Sequence, residues 1–126
     1  MKTKWLDRRI ACSGPHLALC LSADEFHAAM AHINADDQSA RWVRGGSATT
    51  HVVSDDSGKL TCIVCISDFD GRDPIEVAGL LVHEAVHVWQ RYAASIGEDR
   101  PGDEQEAYAV QAISQELMAE FSRRMS

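Results

Sequence analysis

The segment Asp73-Pro74-Ile75-Glu76-Val77-Ala78-Gly79-Leu80-Leu81-Val82-His83-Glu84-Ala85-Val86-His87-Val88-Trp89-Gln90-Arg91-Tyr92 decides how this chain is read. It predicts a single helix. Asp73 can cap the first turn, Pro74 occupies the first helical position where a missing N–H does no harm, and Glu76 stands at capping-box spacing. Apolar residues fall on nearly every side of the segment, which predicts a central, buried element. His83 and His87 are four residues apart and so lie one above the other on one face. Two imidazoles in that relation can converge on one ion, and zinc takes neutral nitrogen donors of this kind. Glu84, next to the first histidine, stands near enough to a water on that ion to take its proton. Burying three such side chains without partners costs on the order of several kcal/mol, and a bound ion removes that cost. The bland alternative is a pair of core histidines hydrogen-bonded to backbone or carboxylates.

A catalytic zinc needs a third protein ligand, and the next helix offers candidates. Gly97 and the polar run Glu98-Asp99-Arg100-Pro101-Gly102 end the first helix, and Asp103 opens another that runs to about Arg123. Its first turn holds Glu104 and Glu106, both residue types favoured at a helix N-terminus whatever else they do. They are separated by about 200° around the helix, so only one can face the ion. Glu104 shares a face with Ala107, Tyr108 and Gln111, and Glu106 shares one with Val110 and Ile113. Periodicity alone does not separate them.

A histidine pair with this spacing, followed by a glutamate on the next helix, resembles the gluzincin branch of zinc metallopeptidases. In small families of that kind the ligand glutamate stands three residues before an alanine followed by a polar residue. Glu104-Gln105-Glu106-Ala107-Tyr108 is similar, with Glu104 in the ligand position. Ala48-Thr49-Thr50-His51, Cys62-Ile63-Val64-Cys65, His83 to Gln90 and Glu106 to Gln111 together resemble phage- and prophage-encoded zincin-like proteins of similar length. The resemblance covers roughly residues 45–115. It implies a zincin-like α+β fold, one Zn2+ held by His83, His87 and Glu104, and Glu84 as general base acting on a peptide or protein substrate. It implies an edge strand beside the metal helix as well, and Leu60–Ser67, which directly precedes that helix, is the strand expected to pair with an extended substrate. One position departs from the pattern. Many gluzincins carry an acidic residue four positions after the ligand glutamate, and Tyr108 stands there, a phenol that can still hydrogen-bond an imidazole or a reacting oxyanion. Tyr108 therefore joins Glu84 as an expected catalytic residue. The alternative is a zincin-like phage protein that binds zinc for structure or partner recognition and turns over little.

Composition sets the remaining bounds. With 126 residues, 45% of them hydrophobic, the chain suffices for one domain, residues 1–126, with a single sizeable core. A net charge of −7 argues against nucleic acid or an anionic membrane as partner. Arg8-Arg9, Arg41 with Arg44, and Arg123-Arg124 read as solvated surface groups. No apolar secretory segment follows Met1, and no run is long enough to span a bilayer, so a cytoplasmic location in a bacterial host is expected. Cys62 and Cys65 form a CxxC pair, but on a β-branched strand residues three apart point to opposite faces. With Cys12 and Cys20 they read as free thiols in a reducing compartment. His16–Leu21 is a short strand. Ser22-Ala23-Asp24-Glu25 is a capping box opening a helix to about Asn34, with Phe26, Ala29, Met30 and Ile33 inward and His27 and His32 outward. Asp36–Ser47 is a polar connector. Thr49–Val53 and Leu60–Ser67 form a hairpin around Asp55-Asp56-Ser57-Gly58, with His51 projecting from the strand surface. The expected architecture is a small sheet packed on a helix, with the two zinc-bearing helices side by side.

Overall fold

In chain order the elements are β1 (His16–Cys20), α1 (Ala23–His32), β2 (Ala48–Ser54), β3 (Leu60–Ile66), α2 (Pro74–Ser95) and α3 (Asp103–Met125). The structure, a computed structural model, describes residues 1–7, 14–54, 58–98 and 100–126. The basic pair Arg8-Arg9, Cys12, the turn residues Asp55–Ser57 and the helix-breaking Asp99 lie outside the described residues. The fold is α+β, with a three-stranded sheet ordered β1-β3-β2. β1 runs parallel to β3, aligning Leu17 with Cys62 and Cys20 with Cys65. β2 runs antiparallel to β3, aligning Thr50 with Val64 and His51 with Ile63.

This topology corrects two expectations. β3 is the central strand, hydrogen-bonded on both sides within the chain, so it has no free edge to offer a substrate. Its uninterrupted apolar sequence belongs to a strand covered on both faces, and the edges are β1 and β2. The sheet is also covered by helices on both faces. Cys62, Val64 and Ile66 pack with Leu17, Leu19 and Leu21 against α2 and α3, through Leu81, Ala85, Val88, Ile113 and Leu117. Ile63 and Cys65 face the other way, against Phe26, Ala29 and Met30 of α1 and its C-cap residue Ile33. Cys62 and Cys65 thus point to opposite faces, as strand geometry requires. Burial pushes the Cys62 thiol up to about 12. The bond with Cys20 and burial both raise Cys65 as well.

Local signals explain the helix ends. Ser22 caps α1 by accepting from the Glu25 backbone N–H at 3.2 Å, and the Glu25 carboxylate accepts from the Leu21 N–H. Asp73 caps α2 by accepting from the Ile75 N–H at 2.9 Å, with Pro74 first in the helix. Gly97, with φ +78°, ends α2 in the left-handed conformation that glycine adopts without steric cost. At α3 the cap position is Gly102, without a side-chain bond, and Asp103 is the first helical residue. No described helix is long and apolar enough to cross a membrane.

α2 is not buried all round. Its inner stripe is Val77, Leu81, Glu84, Ala85, Val88, Trp89 and Ala93, while Ile75 is 80% exposed and Val82, His83 and His87 face solvent. The reason is the narrow sheet, which covers one flank of α2 while α3 covers another.

His51 differs from its expected place on the strand surface. It is only 4% exposed and stacks on Phe26 with ring centroids 4.4 Å apart. Thr50 faces α2, so its neighbour on the strand must face α1. The His51 Nε2–H donates to the Trp42 carbonyl at 2.7 Å, and Nδ1 accepts from the Arg44 guanidinium at 3.2 Å. Burial, reinforced by the Arg44 charge, holds this imidazole below the ordinary histidine range. The unfolded chain therefore binds that proton first. Stability is complete above about pH 6.5 and falls as the pH is lowered through that value toward the folded-state one. Urea midpoints measured from about pH 7.5 down to about pH 5.5 should decline in the wild type. His51→Gln should be less stable at neutral pH and show a flatter decline; an unchanged slope would assign the effect to another group.

Candidate metal and catalytic site

His83 and His87 meet on the open face of α2. Their Nε2 atoms are 3.2 Å apart and their rings stand nearly perpendicular, at 78°. The amide oxygen of Gln90 lies 3.1 Å from His87 Nδ1 and can only accept, so Nδ1 carries the ring proton and Nε2 presents its lone pair. Nitrogens each about 2.0–2.1 Å from one tetrahedral ion stand roughly 3.3 Å apart. The pair therefore fits a zinc ion in spacing and exposure, with His87 in the right tautomer and oriented by Gln90 from behind, while His83 Nε2, the donor to His87 in the absence of metal, would give up its proton to bind.

Glu84 lies on the adjacent flank, only 5% exposed. Its Oε1 accepts from the Thr50 hydroxyl at 2.7 Å, which ties α2 to the edge strand β2. Sequence reasoning missed Thr50; the alternation along Ala48–Ser54 puts it on the α2 face, but which strand lies beside the helix cannot be read from that alternation. An open groove of about 460 Å³ runs between β2 and α2 past both motif residues. Ser47 and Ala48 form one wall, Glu76, Gly79, Leu80, His83 and Glu84 the other, and Arg72 stands at one end.

The structure brings His83 and His87 together, with Glu84 on the neighbouring flank of α2, and does not bring Glu104 to them. Among the described residues no third His, Cys, Asp or Glu completes a metal-binding group with the two histidines. The buried stripe of α3 is Ala109, Ile113, Leu117 and Glu120. Glu104 and Tyr108 sit on the opposite side of the helix, and Tyr108 is 66% exposed. Glu106 lies on the inner side, where its Oε2 accepts from the Trp89 indole N–H of α2 at 2.9 Å. Of the two glutamates, Glu106 is the one directed at the motif helix. The apolar stripe at Ala109, Ile113 and Leu117 carried the signal that would have favoured it, since Glu106 is in phase with that stripe.

No protein-family model, no curated protein and no solved structure matches this chain. The site's chemistry therefore rests on its own geometry.

Thr50 donates to a carboxylate that has almost no access to water, and bonds to charged groups contribute about 1.5–3 kcal/mol. Thr50→Val should lower unfolding stability by about that amount, read by chemical denaturation, whereas Thr50→Ser should recover most of it. Equal stability of wild type and Thr50→Val would mean that the bond is not formed in solution.

Proposed function

We propose that this chain is a small zinc-dependent metallopeptidase with a minimal zincin-like fold. The observation that carries the reading is the pair of Nε2 atoms 3.2 Å apart on an exposed helix face, with a non-ligand carboxylate, Glu84, one residue from the first of them. His83 and His87 would hold the ion, and a glutamate from the first turn of α3, Glu104 or Glu106, would have to come round to the pair to complete the protein ligands, since neither stands with it among the described residues. When bound, zinc polarises the scissile carbonyl and lowers the pKa of its water toward about 7. Glu84 takes the proton of the attacking water and returns it to the leaving nitrogen. Its Oε1 is held by Thr50, which leaves the other oxygen for that transfer. β2 replaces β3 as the edge along which an extended peptide can pair by main-chain hydrogen bonds.

The alternative reading is a zincin-like protein, phage- or prophage-encoded, that binds zinc in a structural or partner-binding role with little turnover. The observation favouring it is that Glu106 is engaged by Trp89 and the donor set of three is not assembled. Glu84 has a structural bond to Thr50, but that bond uses only one of its two oxygens beside the histidines, and this favours the enzyme.

Titration calorimetry with zinc should give about one site per chain, and binding should raise the melting temperature by mass action. His83→Ala or His87→Ala should abolish it. Whichever of Glu104→Ala and Glu106→Ala weakens zinc binding more identifies the third ligand, and loss in neither would leave the ion to the two histidines alone. Absence of both zinc binding and thermal stabilisation in the wild type would refute the metal site. Glu84→Gln should keep the zinc and the fold while losing peptide hydrolysis by about 10²-fold or more. Equal hydrolysis by wild type and Glu84→Gln would rule out its role as base.

A further inference from the structure

Gly79 sits within α2, open to solvent, on the groove wall one turn before His83. A Cβ built there meets nothing within 4 Å. Alanine would favour the helix, and nothing in the packing excludes it. A missing side chain on a groove wall lets another backbone approach closely, which is the use left for this glycine.

Arg72 stands at the end of the same groove. It is half-buried, and among the described residues its guanidinium forms no ion pair. Other arginines that tie the fold together are matched with carboxylates: Arg124 with Glu25 and Arg123 with Glu120. Glu76 also lines the groove, exposed, yet it is not within ion-pair distance of Arg72. A planar, permanently charged donor held partly out of water at a groove end suits a carboxylate.

Along α2 the rise from Glu76 to His83 is about 10 Å, the reach of roughly three extended residues. The N-terminal end of β2, Ser47 and Ala48, lies at the Arg72 end. A peptide pairing antiparallel with β2, the slightly stronger arrangement, brings its C-terminal end toward Arg72. We infer that the Arg72 end of the groove is a carboxylate subsite, with Gly79 keeping the path to it open. It selects peptides that carry a free carboxylate, at the C-terminus or on an acidic side chain, about three residues from the bond cut. This inference rests on the peptidase reading for the word "cut" and on the groove alone for the binding.

The test is fluorescence anisotropy on the Glu84→Gln protein, which binds without turnover. Three fluorescein-labelled hexaalanine probes are compared: the free acid, its C-terminal amide, and the amide with one internal glutamate. The free acid should bind about tenfold more tightly than the amide, and tighter binding of the glutamate-bearing amide identifies the side chain as the source of the carboxylate. Adding Arg72→Gln should erase the preference, Arg72→Lys should keep part of it, and Glu76→Gln should strengthen it by removing a competing negative charge. Gly79→Ala should raise the melting temperature while weakening all three probes. A preference for carboxylate that survives Arg72→Gln overturns the subsite, as does no binding of any probe. Should Arg72→Gln fail to fold, the Arg72→Lys and Glu76→Gln results decide. Wild-type cleavage without carboxylate preference removes the subsite and leaves the peptidase. Arg72-dependent binding without cleavage does the opposite.

Discussion

Complete burial of β3 is the constraint from which the architecture follows. From Thr61 to Ile66 every residue is buried, so the strand needs a neighbour on each edge and a layer on each face. β1 and β2 supply the edges, α1 one layer, and α2 with α3 the other. With three strands the sheet is too narrow to shelter two helices fully. α2 therefore lies over the β2 side with one face left in water, and that face carries both histidines.

The second constraint is electrostatic. Glu84 is almost wholly removed from solvent and stays hydrogen-bonded through Thr50, so the edge strand and the motif helix are fastened at the point where the chemistry is proposed. The far end of the molecule is fastened differently. Arg124 bonds Glu25 at the start of α1, and Arg123 with Lys4 pairs Glu120. These bonds hold the Glu25 and Glu120 carboxyls below their usual range. The two networks share no residue. Changes in the groove are thus expected to leave the α3 C-terminus undisturbed, because distant sites without common partners act additively.

Much of the fold was legible because its signals are local. Ser22, Asp73-Pro74 and Gly97 mark helix ends through their own backbone chemistry, and the hairpin of β2 with β3 follows from two β-branched runs flanking one polar turn sequence. What was not legible depends on pairing between distant segments. An apolar run such as Leu60–Ile66 does not say whether its second edge is taken, and β1, whose residues pair with partners 45 positions later, takes it. His51 was misplaced for the same reason: its face is decided by α1 packing on that side of the sheet. The histidine pair was visible from spacing alone. Glu104 and Glu106 were not separable from spacing, because the phase of α3 is set by its packing on α2, where Trp89 reaches Glu106.

The proposed function stands or falls on one ion held between His83 and His87. Diffraction from crystals grown with zinc, recorded on both sides of the zinc absorption edge, tests it most directly. The expected result is a single anomalous peak about 2.0–2.1 Å from both Nε2 atoms, with one carboxylate of α3 as the third protein ligand. No peak there, or zinc bound elsewhere without either histidine, would contradict it.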